Sequence, residues 1–204
     1  MMQLTPAFPT FLAVDTLDVD ISSIERYCYD LMKRDAGRKV SNDGGYQSTD
    51  LNFDLESPIK PLFQQIEERA NSLHSSLMLK VFLKQKIDNA WFNVNKRGDY
   101  NIPHVHPRTC FSGVFYVKTP KDCGDLFLRN PAASLEHVIP QICIEQYTMF
   151  TGPSLRVSPE ARKLVIFPSW ILHYVTANQS DSDRISIAFN TIFQRSGPVP
   201  KTPS

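Results

Sequence analysis

The sequence predicts an α+β protein that is mainly β, with a β-sandwich or barrel as its larger part. Two amphipathic helices are predicted before residue 80, and nine short runs rich in Val, Ile, Phe and Tyr follow them. Such runs, bounded by turn residues, are typical of antiparallel strands, and helices followed by many strands indicate an α+β protein. We expect one domain over 1–204: an N-terminal strand and bracing helices in 1–80, a β core in 81–195 and a tail in 196–204.

The N-terminal part is predicted to contain an edge strand, a helix and a polar loop. The strand covers 2–14. The helix begins at Ser22, whose spacing from Glu25 fits a capping box, and it ends near Gly37. Residues 38–56 are polar and predict a loop.

A second helix is predicted to begin at Ser57 and Pro58, a serine cap followed by proline at the first helical position. His74 lies beside its apolar stripe, which favours a surface or half-buried histidine. The stripe repeats at helical spacing and consists of Ile59, Leu62, Phe63, Ile66, Ala70, Leu73 and Leu77. The predicted strands after it are 80–86, 89–95, 103–106, 110–118, 124–129, 141–150, 162–167, 171–176 and 184–193.

Composition and charge exclude some classes of function. The net charge is +1 and no basic block occurs, so a strong electrostatic grip on nucleic acid is not indicated. No run of about 18 apolar residues predicts a membrane span, and no signal peptide is recognised. The four cysteines lack metal-binding spacing and favour reduced thiols in the cytoplasm.

Two of the five histidines, His104 and His106, stand two positions apart in a predicted strand. Residues i and i+2 of a strand point to the same face, so both imidazoles aim at one point. Imidazole suits Fe, Zn, Cu and Ni. His173 is the candidate for a third ligand from a distant part of the chain.

The last predicted strand alternates polar and apolar residues. Arg184, Ser186, Ala188 and Asn190 share one face, and the opposite face is wholly apolar. In a barrel backed by helices, the apolar face packs on the helices and the polar face lines a cavity. A buried arginine is costly without an anion, so Arg184 is a candidate to bind a carboxylate in bidentate fashion, with Ser186 adding a hydrogen bond.

Four motifs in order give the sequence a family resemblance. They are Asn-x-x-His-x-His-Pro at 101–107, Ser-Gly-Val-x-Tyr at 112–116, Phe-Pro-Ser-Trp-x-x-His at 167–173 and Arg-x-Ser-x-x-x-Asn at 184–190. Over roughly 89–193 the chain resembles the Fe(II)- and 2-oxoglutarate-dependent oxygenases, most closely the small ones of bacteria and their viruses.

The resemblance implies a double-stranded β-helix, or jelly roll, with the N-terminal helices packed on one sheet. It also implies a dioxygenase that uses Fe(II), 2-oxoglutarate and O2 and couples oxoglutarate decarboxylation to hydroxylation of a substrate. Metal ligands would be His104, His106 and His173. Arg184 and Ser186 would hold 2-oxoglutarate, and Tyr116 would add a hydroxyl. Trp91, Asn93 and Asn190 are expected to line the substrate pocket.

The sequence departs from the family at His106, where the usual signature has a carboxylate. Asp99 and Asp122 are the nearest alternative carboxylates, but neither lies two positions from His104, so we favour His106. His137, in the polar loop after Pro131, is assigned no role, although that loop is also a candidate lid.

Two other functions remain open from the sequence. One is a cupin-like three-histidine metalloenzyme that does not use 2-oxoglutarate, and the other is a jelly-roll module without enzymatic activity. The substrate is either a peptide or protein, by analogy with the prolyl 4-hydroxylases, or a small molecule. A homodimer is a further expectation, and no membrane partner is expected.

Overall fold

Two antiparallel sheets and two helices make up the fold of this computed structural model, which describes residues 2–52, 57–132 and 139–197. In chain order the elements are β1 (Ala13–Thr16), α1 (Ile21–Met32), β2 (Asn42–Asp43), β3 (Tyr46–Gln47), α2 (Lys60–Ser76), β4 (Leu83–Asn95), β5 (Tyr100–His104), β6 (Phe111–Lys118), β7 (Leu126–Arg129), a short 3-10 helix (Gln141–Cys143), β8 (Ser154–Val157), β9 (Lys163–Pro168), β10 (His173–Val175) and β11 (Arg184–Arg195).

The larger sheet has six strands in the order β1-β9-β6-β11-β4-β3, and the smaller has five in the order β2-β5-β10-β7-β8. All described strand pairs are antiparallel. The two longest strands, β4 and β11, pair with each other in the larger sheet, and side chains of both line the cavity between the two sheets.

The polar and apolar faces of β11 lie in different surroundings, as the sequence predicts. Ile185, Ile187 and Phe189 belong to the main core, which also takes in buried side chains of α1 and α2 such as Ile24 and Ile66. A second, smaller cluster lies on the other face and includes Tyr116 and Phe167. The helices therefore cover one face of the larger sheet, and the other face is free to line a cavity.

Several predicted boundaries at the N-terminal end are wrong. The edge strand is β1 at Ala13–Thr16, not 2–14. Helix α1 is capped by Asp20, whose carboxylate accepts from the Ser23 N–H at 3.1 Å, and it ends at Met32. This cap, two residues earlier in the chain, replaces the predicted Ser22 capping box. The predicted loop 38–56 contains the two-residue strands β2 and β3.

Helix α2 begins two residues later than expected. Ile59 occupies the cap position without a side-chain hydrogen bond, and Pro61 rather than Pro58 stands in the first turn. His74 is buried, which corrects the predicted surface or half-buried position. Its Nε2 lies 3.1 Å from the Lys80 carbonyl oxygen and its Nδ1 lies 3.3 Å from Gln85 Nε2. Both ring nitrogens are therefore engaged, which explains why a histidine is tolerated in the core.

The β prediction is correct in type and wrong in four places. The runs 80–86 and 89–95 form one strand, β4, and the run 103–106 forms β5, which ends at His104. The run 141–150 is a 3-10 helix followed by turns, and its apolar side chains are largely exposed. Strand β8 was not predicted. Residues 198–204 of the predicted tail lie outside the described residues, whereas Ser196 donates to the Phe82 carbonyl oxygen at 2.9 Å.

Neither helix is long and apolar enough to cross a membrane, as judged over the described part of the chain.

Candidate active site

Two of the predicted ligands face each other across neighbouring strands. His104 ends β5, and His173 begins β10, and the register pairs the two residues directly. Their ring centroids are 4.3 Å apart. Each Nδ1 lies close to the carbonyl oxygen two residues earlier in the chain, at 2.7 Å for His104 and 2.9 Å for His173. A ring whose Nδ1–H donates to a carbonyl keeps Nε2 free as a metal ligand, so both rings present that nitrogen.

His106 lies just beyond the end of β5, and not within the strand as predicted. Its backbone N–H donates to the Ser169 carbonyl oxygen at 3.0 Å, which fixes the chain beside the β9–β10 turn. Its ring centroid is 5.0 Å from that of His104 and 5.1 Å from that of His173. One nitrogen from each of the three rings can be chosen so that all lie within 4.8 Å of one another.

No carboxylate joins this histidine cluster among the residues that the structure describes. Asp99 instead accepts from the Lys96 N–H at 2.7 Å in the turn before β5. Asp122 has a left-handed backbone, with φ 61°, in the turn before β7. The cluster is therefore three imidazoles, a donor set that suits Fe, Zn, Cu or Ni.

Burial keeps the three rings neutral. It lowers the pKa of His173 to about 3, with a further contribution from nearby His104, and it lowers the pKa of His106 to about 4. The pKa of His104 is also lowered by burial. At neutral pH each ring therefore has a lone pair for a metal, because metal binding needs the unprotonated imidazole.

Arg184 is the largest fully buried side chain, with 1% of its surface exposed. Its guanidinium donates from Nη1 to the carbonyl oxygen of Cys123 at 2.8 Å. No carboxylate within the described ranges forms an ion pair with it. Burial lowers the pKa of Arg184, but an arginine stays charged in proteins. A buried, unpaired cation that lines the same cavity as the histidines indicates a site for an anion.

The residues around Arg184 form rows across the larger sheet. Ser186 on β11 pairs with Tyr116 on β6 and with Asn93 on β4, so the three side chains stand side by side. All three line the cavity. Burial raises the pKa of Tyr116, against the opposing effect of Arg184, so its hydroxyl keeps its proton and can donate.

The remaining predicted pocket residues, Trp91 and Asn190, lie in different places relative to the cavity. Trp91 lines the cavity, and its ring centroid is 5.6 Å from that of His106. Asn190 lies further along β11, where it accepts from the Ser112 hydroxyl at 2.7 Å and donates to Asn89 at 2.9 Å. Because its amide is engaged on both sides, Asn190 is a structural residue of the sheet at this place. His137 and most of the candidate lid lie outside the described residues.

The sequence reasoning missed Asn95, which pairs directly with Arg184 in the ladder of β4 and β11. Asn95 is 1% exposed, and neither its amide nitrogen nor its amide oxygen has a hydrogen-bond partner among the described residues. The signal was present, because Asn95 continues the alternation of Trp91 and Asn93. Asn95 lies beside the buried cation but is not one of the residues that line the cavity.

Gly124 shapes the space around Arg184, and replacing it by alanine is expected to destabilise the protein. Its φ is +87°, and an added Cβ would lie 2.2 Å from the Thr176 carbonyl oxygen and 2.9 Å from Arg184 Nη1. Gly98 is a matched control, since its φ is +90° and its Cβ would meet nothing within 4 Å. Both substitutions carry the backbone strain of about 1–3 kcal/mol. In urea denaturation, Gly124→Ala should lose clearly more stability than Gly98→Ala; equal losses would show that the contact is unimportant.

Comparison with known proteins places this arrangement in a family. Residues 89–190, half of the 204-residue chain, match the sequence family described as "Putative 2OG-Fe(II) oxygenase". The chain belongs to this family of 2-oxoglutarate/Fe(II) oxygenases. The matched residues include the three histidines, Arg184 and Ser186, so the family match covers the whole cluster described above. No curated protein gives a significant sequence match.

Solved structures confirm the predicted double-stranded β-helix. A prolyl-4-hydroxylase from Pseudomonas putida is 16% identical with a TM-score of 0.64, covering 92% of this chain and 94% of its own. The 2-oxoglutarate-dependent epimerase SnoN from nogalamycin biosynthesis is 13% identical with a TM-score of 0.66, covering 96% and 87%. A prolyl hydroxylase from Trichoplax adhaerens, solved with a peptide of hypoxia inducible factor, is 14% identical with a TM-score of 0.61, covering 89% and 83%.

Membership in the 2-oxoglutarate/Fe(II) oxygenases decides between the functions that the sequence left open. The protein is an oxygenase that uses Fe(II) and 2-oxoglutarate, with O2 as the other co-substrate. The cupin-like enzyme without 2-oxoglutarate and the inert jelly-roll module are both excluded by this membership. The residues fit the cofactors, because three neutral imidazoles converge where a metal can bind and the buried guanidinium of Arg184 can bind a carboxylate.

Proposed function

We propose that the oxygenase binds Fe(II) through His104, His106 and His173 and hydroxylates its substrate. The distal carboxylate of 2-oxoglutarate would be held by Arg184, with Ser186 and Tyr116 as further donors. One observation carries this proposal: a three-imidazole cluster and a buried guanidinium, which forms no ion pair with any described carboxylate, line the same cavity.

Each residue has a defined task in this proposal. The carbonyl oxygens of Ile102 and Ile171 orient the rings of His104 and His173, so these ligands need little rearrangement. Arg184 supplies the charge that selects a dicarboxylate, and the protonated hydroxyl of Tyr116 can donate to it. When bound, Fe(II) and 2-oxoglutarate supply the O2-dependent oxidation, and 2-oxoglutarate ends as succinate and CO2.

The third imidazole changes the charge of the centre. A ligand set of two histidines and one carboxylate neutralises one of the two positive charges of Fe(II), whereas three neutral histidines neutralise none. The proposed site therefore holds a full +2 charge, which strengthens the binding of anions such as 2-oxoglutarate.

The two substrate classes under consideration are a peptide or protein and a small molecule. The Trichoplax structure carries a peptide, whereas SnoN is an epimerase of nogalamycin biosynthesis. We propose a peptide or protein substrate for this oxygenase, with a small molecule as the alternative. A single oxygenase domain over 1–204, a cytoplasmic location and a homodimer stay proposals.

Titration of the anaerobic Fe(II) protein with 2-oxoglutarate is expected to produce a weak visible charge-transfer band. The band arises when the keto acid binds the metal through its carboxylate and keto oxygens, and its growth gives the dissociation constant. Succinate is the matched control, because it has the distal carboxylate but no keto group, and it should give no band. Bound iron without a band would overturn the proposed 2-oxoglutarate site, and no iron uptake would overturn the proposed ligands.

A further inference from the structure

His106 is held differently from the other two proposed metal ligands. His104 and His173 belong to strands, and Nδ1 of each lies within hydrogen-bond distance of a backbone carbonyl oxygen. His106 lies beyond the end of β5, and its ring nitrogens have no such carbonyl partner among the described residues. The position of its imidazole therefore depends on the turn that carries it.

The turn from His106 to Cys110 contains a strained residue. Arg108 has a φ of 68°, in the left-handed region that residues other than glycine seldom adopt. Such a conformation is costly, and it persists only where the surrounding structure fixes it. Without contacts that hold this turn, its backbone would relax and move the His106 imidazole.

Ser169, in the turn between β9 and β10, holds the turn 106–110 from inside the protein. Its hydroxyl lies 2.5 Å from the Thr109 carbonyl oxygen and 3.1 Å from that of Cys110, and it can donate to either. The Ser169 N–H donates to the Cys110 carbonyl oxygen at 3.3 Å, and the Ser169 carbonyl oxygen accepts from the His106 N–H at 3.0 Å. Ser169 is buried, so every polar group of this residue is used on the turn.

A second hydroxyl closes the turn on itself. The Thr109 side chain donates to the His106 carbonyl oxygen at 3.0 Å. The backbone N–H of His106 is therefore bound by Ser169, and its carbonyl oxygen is bound by Thr109. Both backbone polar groups of this proposed ligand are fixed by residues that do not line the cavity.

The β9–β10 turn connects this support to another proposed ligand. Two residues after Ser169, the Ile171 carbonyl oxygen lies 2.9 Å from Nδ1 of His173. The Ile171 N–H donates to the Pro168 carbonyl oxygen at 3.0 Å, which closes the turn. One short turn therefore contacts both His106 and His173, and a displacement of Ser169 would change the separation of these two imidazoles.

We infer that Ser169 and Thr109 are positioning residues for the proposed metal ligand His106. Their hydroxyls hold the strained turn 106–110 and keep the His106 imidazole within reach of an ion bound by the other two histidines. Groups that support a metal ligand in this way contribute about ten- to a hundredfold to metal affinity. The inference rests on the proposed function, because these residues can position a ligand only if His106 binds the metal.

A double-mutant cycle on Zn(II) affinity tests this inference without turnover. Zn(II) alone is the probe, because imidazoles bind it and it does not react with O2. The four full-length proteins are the wild type, Ser169→Ala, His106→Ala and the variant that carries both substitutions. Competition with a chromophoric chelator gives the dissociation constant of each protein. A residue that acts through His106 should affect Zn(II) binding only when His106 is present.

Ser169→Ala is expected to weaken Zn(II) binding about ten- to a hundredfold in the protein with His106. In the His106→Ala background the same substitution should change the affinity by less than about twofold, which is the usual deviation from additivity for independent sites. An unchanged affinity in Ser169→Ala would overturn the inference. An equal loss with and without His106 would also overturn it, because the effect would then be a general structural one.

Ser48→Ala is the matched control. Ser48 is buried like Ser169, and its hydroxyl also has two partners: it donates to the Thr49 carbonyl oxygen at 2.7 Å and accepts from the Phe92 N–H at 3.0 Å. Both serine variants should lose thermal stability, and only Ser169→Ala should lose Zn(II) affinity. An equal loss of Zn(II) affinity in Ser48→Ala would assign the effect to lost stability and overturn the positioning role.

Two further comparisons keep the test decisive. Thr109→Val removes the second hydroxyl with little change of shape at a partly exposed position, and it should show the same dependence on His106. If Ser169→Ala does not fold, the Thr109→Val cycle decides by the same criterion. His106→Ala tests the proposed ligands separately: unchanged Zn(II) affinity there would overturn the proposed ligand set. A loss in His106→Ala without a loss in Ser169→Ala would overturn only the positioning role.

Discussion

Replacing His173 by alanine is expected to abolish tight iron binding. The imidazole is buried, neutral and oriented by the Ile171 carbonyl oxygen, and it lies opposite His104 in the β5–β10 pair. Mutation of residues that only support a metal ligand costs about ten- to a hundredfold in affinity, so loss of a ligand itself should exceed a hundredfold. Anaerobic titration with Fe(II), followed by quantification of bound iron, measures the effect.

His74→Ala is the matched control for this variant. His74 is 4% exposed and His173 is 5% exposed, and both rings make hydrogen bonds inside the protein. His74 lies on α2, away from the histidine cluster. Both alanine variants should therefore lose stability, and only His173→Ala should lose iron. A His173→Ala protein that is folded and binds iron as the wild type does would disprove the proposed ligand set.

Arg184→Met is expected to weaken 2-oxoglutarate binding while stabilising the protein without ligands. Loss of one partner from a buried, hydrogen-bonded charge pair costs about 2–5 kcal/mol, which is at least a thirtyfold loss of 2-oxoglutarate affinity. Without the anion, Arg184 is a buried cation with carbonyl oxygens as its hydrogen-bond partners. Apolar replacement of buried charges is often neutral or stabilising by about 1–4 kcal/mol.

Two measurements distinguish an anion site from a structural arginine. In an anion site, Arg184→Met lowers the affinity for 2-oxoglutarate and raises the stability of the ligand-free protein. Thermal unfolding is measured for the wild type and Arg184→Met with and without 2-oxoglutarate, and iron binding is measured in parallel. Arg97→Met is the control, because Arg97 is 60% exposed and pairs with Asp181 at the surface; it should change neither quantity appreciably. If Arg184→Met destabilised the ligand-free protein and left 2-oxoglutarate binding intact, Arg184 would be structural.

The part of the site that lies on β11 could be predicted because the alternation of that strand is long and regular. One polar face and one apolar face on β11 were enough to predict a cavity on one side and helices on the other. The spacing of His104 and His106 likewise predicted convergence. It did so although His106 lies beyond the strand, because the hydrogen bond from His106 to Ser169 turns the ring back to the cluster.

The strands β2 and β3 could not be predicted for a physical reason. Strands of two residues, such as β2 and β3, show no periodicity, and the polar sequence 38–56 favours a loop. Gln47 meets Asn93 only because β3 pairs with β4, a contact between distant parts of the chain. The strand prediction for 141–150 was wrong for the opposite reason. Its apolar residues resemble a strand but remain exposed, and exposure depends on tertiary packing rather than on local pattern.

The direct pairing of His104 with His173 links the metal to the alignment of two short strands. β10 has three residues and β5 has five, so few hydrogen bonds hold their relative position. A shift by one residue would turn one of the two imidazoles to the opposite face of the sheet. A bound metal ion therefore fixes the register of β5 and β10 in the smaller sheet. The backbone amides of these two strands should exchange their hydrogens more slowly in the iron-bound protein than in the metal-free one.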